Sequence, residues 1–337
     1  MRKLKITVLV DWNTIPDDDP EFHADPLPPV TEYHVINALR ELGHTVLIAG
    51  VKDSVSDLVG TLVAQQPQMV FNLVEVFRDD RSQDRNIAAL LELLNIPYTG
   101  TGPDGLLLCR DKGLCKRILN AHRIRVPAFF TSRPGRRTLI PARFPLPAIV
   151  KPLYGDGSDG ISNASLVDSV ARLRERVEYV HNNWHQPAIV EEYISGREMY
   201  VATLGNSRLE VLPPREIFFD SAAGNGPAIS TYQVKFNPAY QEKWSIHFGF
   251  AELAQQQADR IRRICSRASH ALHIRDYGRI DLRLTTEGRI VVLEVNPNPD
   301  LAYGEEVAES AEHAGISYHT LVERILRHAL RRQAGLL

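Results

Sequence analysis

The chain has 337 residues, 44% of them apolar and 24% charged, with a net charge of −2. That length allows two or three domains, and that composition belongs to a soluble globular protein, which excludes a disordered tail and a fibrous repeat. With no surplus of basic residues and no apolar run of about 18 residues, neither a nucleic acid nor a membrane is an expected partner.

The basic N-terminus, Met1–Lys5, leads into an apolar stretch that ends at Asp11, too short for the core of a secretory signal. Ile6–Val10 has the unbroken apolar run of a buried strand. Asp11–Pro29 breaks the pattern with five prolines and the acids Asp17, Asp18 and Asp19. It reads equally as a solvated loop and as a lid over a site at the strand end. Thr31–Leu42 puts Val35, Ala38, Leu39 and Leu42 on one helical face, stopped by Gly43. Strands at 45–49, 69–73 and 97–99 alternate with helices over 54–66 and 82–94. This βαβαβα order implies a parallel sheet covered on both faces, whose ligands sit beyond the strand carboxyl ends.

After Gly105 the texture changes. Helices are expected over 112–121, 165–182, 251–273 and 318–332, and strands over 147–152, 188–193, 199–204, 209–219, 276–284 and 289–295. This half is therefore α+β with antiparallel sheets. Residues 221–243 form a long irregular segment, of a kind that is usually functional or disordered. The cysteines Cys109, Cys115 and Cys265 form no paired set and suit a reducing cytoplasm.

The strongest chemistry lies between Gly278 and Asn296. Two apolar-alternating runs flank Glu287-Gly288, a hairpin signal. A two-residue turn there sets Asp281 opposite Glu294 and Arg279 opposite Asn296. Residues two apart share a face, so these four side chains project together while Ile280, Leu282, Val292, Leu293 and Val295 pack. Two facing carboxylates repel, so the pairing asks for a cation between them. Two carboxylates and an amide are hard oxygen donors that suit Mg²⁺ or Mn²⁺ carried with nucleotide phosphates. The plainer reading is a hairpin whose polar face meets water; the turn Pro297-Asn298-Pro299 right after the donors argues against it.

Three further stretches are weaker taken singly. Lys151 ends a strand before Gly155-Asp156-Gly157-Ser158-Asp159-Gly160, where glycines let backbone N–H groups converge on a phosphate; a plain turn fits as well, and the pattern is not a Walker A loop. Glu191-Glu192-Tyr193-Ile194 and Glu198 offer acceptors to an adenine amino group and ribose hydroxyls, or form a solvated acidic turn. Asp111-Lys112 opens a helix, with the aspartate as cap and the lysine in reach of a phosphate.

In this order, Asp111-Lys112, Lys151-Pro152 with its glycine loop, Glu191–Glu198 and Arg279/Asp281 with Glu294-Val295-Asn296-Pro297 resemble the ATP-grasp ligases, most closely the D-alanine–D-alanine ligases. Ile96–Gly100 and Ala314–Tyr318 add to the likeness, which is strong from about residue 90 onward and weak before it. The resemblance implies an ATP-grasp fold. An N-terminal parallel-sheet, Rossmann-like domain (1–104) precedes a central (105–198) and a C-terminal (199–337) α+β subdomain, which clamp ATP between them. It implies that a substrate carboxylate takes the γ-phosphate to give an acyl phosphate, which an amine then attacks. By position, Lys112, Lys151 and Ser158 belong to the ATP phosphates, Glu191, Tyr193 and Ile194 to adenine, and Glu198 to ribose. Asp281, Glu294 and Asn296 would hold two Mg²⁺ ions. Arg279 would stabilise the acyl phosphate and the tetrahedral oxyanion. Lys235 matches a phosphate-binding lysine on the family's mobile loop, here 221–243, whose closure shields the acyl phosphate from water. Small-molecule carboxylate and amine substrates, and a homodimer as is common in the family, complete the expectation.

The departures bear on the substrates. Where D-alanine ligases open with Gly-Gly and a glutamate for the first amino group, this chain has Asp11-Trp12-Asn13 and the proline-rich insertion, with Glu32 the nearest glutamate. Gly157 and Phe236 replace a serine and a tyrosine, so the family's Glu-Ser-Tyr triad is not expected. Asp300 stands for a glycine, and Glu305, with Glu306 beside it, for the serine that holds the second carboxylate. A glutamate there repels a carboxylate and favours an amine, unless both acids face solvent at a helix start. The leading expectation is a ligase with substrates other than two D-alanines. Its alternatives are D-alanine ligation with rewired contacts and an ATP-binding protein without catalysis. A nicotinamide enzyme would need a G-x-G-x-x-G motif after Val8–Val10, and there is none.

Overall fold

The computed structural model describes residues 2–155, 160–219, 231, 233–234 and 237–335. Strands β1 (Lys5–Asp11), β2 (Thr45–Val51) and β3 (Met69–Asn72) form a parallel sheet in the order β2-β1-β3. The fourth expected strand is a single bridge, Tyr98 to Val70. Ile6, Val8, Leu9 and Val10 are fully buried, as a central strand covered on both faces requires. Helices α1 (Thr31–Glu41), α2 (Val55–Gln65) and α3 (Asp84–Leu93) lie within two residues of their expected bounds. The insertion 11–29 is anchored to this core through Phe22, Ile15, Ala24 and Leu27, while most of its other residues, Asp17 and Asp18 among them, are exposed. Phe22 is buried against Tyr33 with ring centroids 4.8 Å apart, and Asp19 accepts the backbone N–H groups of His23 and Ala24 and the Tyr33 hydroxyl.

Helices α4 (Pro103–Arg110) and α5 (Lys112–Ala121) lead to a second, antiparallel sheet. Its strands β4 (Phe129–Ser132), β5 (Ala148–Pro152), β6 (Leu166–Val167) and β7 (Ala188–Glu192) run in the order β4-β7-β5-β6. Helix α6 (Val170–Trp184) packs on this sheet and starts later than expected, because Ser169 supplies its cap by accepting the Arg172 N–H. The third sheet contains β8 (Arg197–Leu204), β9 (Glu210–Val211), β10 (Arg215–Phe219), β11 (Ile246–Phe250), β12 (Tyr277–Leu284) and β13 (Ile290–Pro297). Its order is β11-β10-β8-β12-β13, with β9 beside β8. The strand expected over 209–219 is broken at Pro213-Pro214, which have no N–H for a ladder. The remaining helices are α7 (Pro238–Lys243), α8 (Gln255–Ala271), α9 (Glu306–His313) and α10 (Tyr318–Gln333). Among the described residues no helix is long and apolar enough to cross a membrane.

Strand β8 starts at Arg197, so a boundary after Glu198 would fall inside a strand; the turn ending at Gly196 is the natural break. A side chain on Gly196 would meet the Leu284 carbonyl at 2.4 Å, so the turn requires glycine. Cys109 of α4 and Cys115 and Leu119 of α5 share a core with Met199, Val201, Ile280 and Val292 of the third sheet, not with the second. Helices α9 and α10 share a core with β1 and α1.

Candidate active site

The hairpin β12–β13 sets the site. Its turn differs from the expected one: Thr285 donates to Arg289 and accepts from Gly288, so three residues rather than two form the loop, with Gly288 at φ +74°. Leu282, Arg283 and Leu284 therefore pair with Val292, Val291 and Ile290, one residue away from the expected register. A bulge next to Asp281 then adds one residue on β13, and Asp281 faces Glu294 and Arg279 faces Asn296 as expected. Leu293, at the bulge, is only partly buried, and its carbonyl accepts a hydrogen bond from Lys116.

Helix α5 and strands β5 and β7 bring cations onto this hairpin. Asp111 caps α5 by accepting the Leu114 N–H at 2.8 Å. Lys112 then sits 2.7 Å from Glu294 and donates to the Gly155 carbonyl. Burial alone would raise the Glu294 pKa, but the Lys112, Lys151 and Lys116 charges outweigh it and hold the carboxyl well below its usual range. Lys116 and Lys151 both approach Glu191 Oε1, at 3.2 and 3.3 Å. Burial opposes the Lys151 charge, yet the Glu191, Glu294 and Asp281 carboxylates raise its pKa. For Lys116 burial wins and its pKa falls. Lys116 was not singled out in the sequence, although it lies one helical turn beyond Lys112.

At the other end of the same face, Glu198 is 7% exposed and is held by Arg283 through contacts of 3.1 and 2.7 Å, with the Tyr200 hydroxyl donating to its other oxygen at 3.1 Å. Arg283 also donates to the Ile194 carbonyl and lies 4.9 Å from the Tyr193 ring centroid. Thus Glu198, Tyr193 and Ile194 come together around a buried arginine that sequence reasoning passed over. Strand alternation was the signal for it: Arg279, Asp281 and Arg283 lie two apart on β12.

Arg279 joins the hairpin to the start of α9. It donates to both oxygens of Asp281, at 2.8 and 3.1 Å, and to Glu306 at 2.9 Å. Glu306, Glu305, Asp300, Arg279 and Asn296 line one cavity of about 440 Å³, so the two glutamates do not face open solvent. Asp300 accepts the Thr31 hydroxyl and the Ala302 N–H. A cavity of about 400 Å³ shares Asp300, Glu75 and Arg81 with the first and is also lined by Asp11, Asn13 and Glu32, at the carboxyl end of β1. Ser158 and Lys235, with Gly157, Phe236 and most of the loop 221–243, lie outside the described residues.

The hairpin fits the divalent ions expected of it. Asp281, Glu294 and the Asn296 amide oxygen are hard donors of the kind Mg²⁺ or Mn²⁺ takes, and Asn296 Nδ2, buried without a hydrogen-bond partner among the described residues, is a donor suited to a phosphate oxygen rather than to the metal. Arg279 and Lys112 balance the two carboxylates in the meantime. Among the described residues no three His, Cys, Asp or Glu side chains form a metal cage by themselves, so the remaining ligands would be nucleotide phosphates and water.

Residues 124–327 match the family model described as D-ala D-ala ligase C-terminus, more than half of the chain. The chain belongs to the D-alanine–D-alanine ligase family. Among similar proteins, an uncharacterised Sinorhizobium fredii protein, y4sG, is 35% identical over 89% of this chain and 88% of its own. A Gluconobacter oxydans D-alanine–D-alanine ligase is 29% identical over 88% of this chain and 92% of its own. Among solved structures, a Bacillus anthracis D-alanine–D-alanine ligase complexed with ATP superposes with a TM-score of 0.76 at 20% identity, covering 98% of this chain and 99% of that one. The fold is therefore ATP-grasp, and ATP and Mg²⁺ are the cofactors this ligase family uses.

Proposed function

We propose that this family member is an ATP-dependent carboxylate–amine ligase that works through an acyl phosphate, on substrates other than two D-alanines. The observation that carries the reading is Arg279, fixed by Asp281 on the hairpin and Glu306 on the acceptor cavity. ATP binding alone has no use for a guanidinium there, whereas acyl transfer needs a fixed cation where oxyanion charge develops. In this reading Lys112, Lys151 and Ser158 hold the phosphates, and Glu191, Tyr193, Ile194 and Glu198 hold the nucleoside. Asp281, Glu294 and Asn296 hold two Mg²⁺ or Mn²⁺ ions, which supply charge neutralisation on the transferring phosphoryl group. Lys235, on the loop 221–243, adds a phosphate contact. Positioning and charge neutralisation account for most of the catalysis.

The substrate part rests on the acceptor end. Glu305, Glu306 and Asp300 stand around the cavity where a second amino-acid carboxylate would have to sit. Glu75 lines it too, so four carboxylates outnumber the three guanidiniums of Arg81, Arg215 and Arg279, a balance that disfavours one more carboxylate. ADP release in the presence of MgATP, measured across D- and L-amino acids singly and in pairs and across small amines, tests the proposal. Release is expected with a mixed pair and not with D-alanine alone. Robust turnover with D-alanine as sole substrate would refute the substrate part.

A further inference from the structure

The attacking amine arrives at neutral pH as an ammonium ion, which has no lone pair and must first lose a proton. The sequence leaves no obvious acceptor for it, since Gly157 and Phe236 replace the serine and tyrosine of the family's triad. Of the carboxylates that line the acceptor cavity, Glu305 is the one whose side chain has no hydrogen-bond or ion-pair partner among the described residues, whereas Glu75 pairs with Arg81 at 3.7 Å. Glu306 is engaged by Arg279, and Asp300 accepts two hydrogen bonds, both on Oδ1. Glu305, at the N-cap position of α9, makes no capping bond and no side-chain hydrogen bond or ion pair with a described residue. Its neighbours come from four elements: Glu306 on its own helix, Asp300 on the loop after β13, Arg279 on β12 and Arg215 on β10. Arg215 is itself pinned, donating to the Gly304 carbonyl at 2.7 Å, with its guanidinium carbon 5.2 Å from the Phe248 ring centroid.

We propose that Glu305 is the general base that takes the proton from the acceptor's ammonium group. The inference rests on the ligase reading above. The ammonium gives one proton to the Glu305 carboxylate. The freed nitrogen pair forms the C–N bond as the carbonyl pair moves onto oxygen beside Arg279. Collapse breaks the C–O bond to phosphate, which carries off a second proton as hydrogen phosphate and leaves the amide with the third. Glu305 then returns its proton to solvent. Burial first, then the Glu306 and Asp300 charges, push its carboxyl up to about 7 against the pull of Arg279 and Arg215. A base with that affinity accepts a proton at neutral pH and releases it again.

Hydroxylamine separates this role from a structural one, because its free base predominates at neutral pH. Wild-type protein and Glu305→Gln are compared with MgATP and a panel of D- and L-amino acids as carboxylate donors, with hydroxylamine or ordinary amines as acceptors. In the variant, amide formation with ordinary amines should fall about 10²–10⁴-fold while hydroxamate formation falls far less. The wild-type kcat profile should show an acidic limb near pH 7 that the variant lacks. Equal losses with both acceptors, unchanged amide formation, or a wild type that accepts hydroxylamine alone would each overturn the role of Glu305. A wild type that forms neither hydroxamate nor amide with any donor overturns the ligase reading and this proposal with it.

Discussion

Asp11 ends the first strand in the place of a family glycine and is only 8% exposed. Burial, with a smaller push from Glu32, raises its pKa from 3.8 to about 6, against the N–H groups of Val76 and Glu75 and the charge of Arg81. Between those two values the folded state keeps a proton that the unfolded chain gives up, so stability falls as pH rises. The contribution is complete below the unfolded value and is lost through about pH 6. The difference is about 2–3 kcal/mol. Asp11→Asn, which cannot ionise, should gain that much on the wild type between pH 4 and pH 7 in urea titrations. A constant gap across that range would refute it. The sequence exposed Asp11 as a departure, but its burial depends on residues 75 and 76 folding over it, which no local pattern reveals.

The cross-strand pair Arg283–Glu198 couples β8 to β12. Removing one member leaves a buried charge alone, so Arg283→Met should cost about 3–5 kcal/mol. Arg283→Met with Glu198→Gln should recover more than half of that in a double-mutant cycle of urea midpoints. Additive losses would mean that the pair is not coupled. At this scale the sequence was most readable. The alternation of Arg279 and Asp281 and the runs on either side of Glu287-Gly288 defined the polar face of the hairpin, though not Arg283 on it, and Lys112–Ala121 has the bounds expected of it. The three-residue turn and the bulge were invisible, because each shifts the register by one residue and together they cancel at Asp281. Helices α4 and α9 were hidden by their length; eight residues span little more than two turns, too few for a clear period. Glu305 was legible as a glutamate out of place, but its lack of a partner among the described residues emerges only when β10, β12 and the loop after β13 surround it.

Across the molecule, the lysines proposed to hold phosphate come from α5 and β5 and the carboxylates proposed to hold the ions from β12 and β13, so in that reading one bound nucleotide would touch several separately packed elements. Binding to the folded state alone stabilises it by mass action. MgATP at about 100 times its Kd should add about 2.7 kcal/mol, read as a rise of several degrees in Tm. Chelating the metal with ATP still present should remove most of the rise, and no response to either would refute the nucleotide cleft. The core around β1 has a further consequence. Leu321, Val322, Ile325 and Leu326 of α10 are fully buried in the cluster that contains Ile6, Val8 and Val35. Domains generally fold as the ribosome releases them, N-terminal part first. Here helix α1 covers the sheet early, but the part of the core between α1 and α10 closes only once residues 318–333 have been translated. During that interval the apolar side of α1 that α10 will bury is the surface open to contact with other nascent chains.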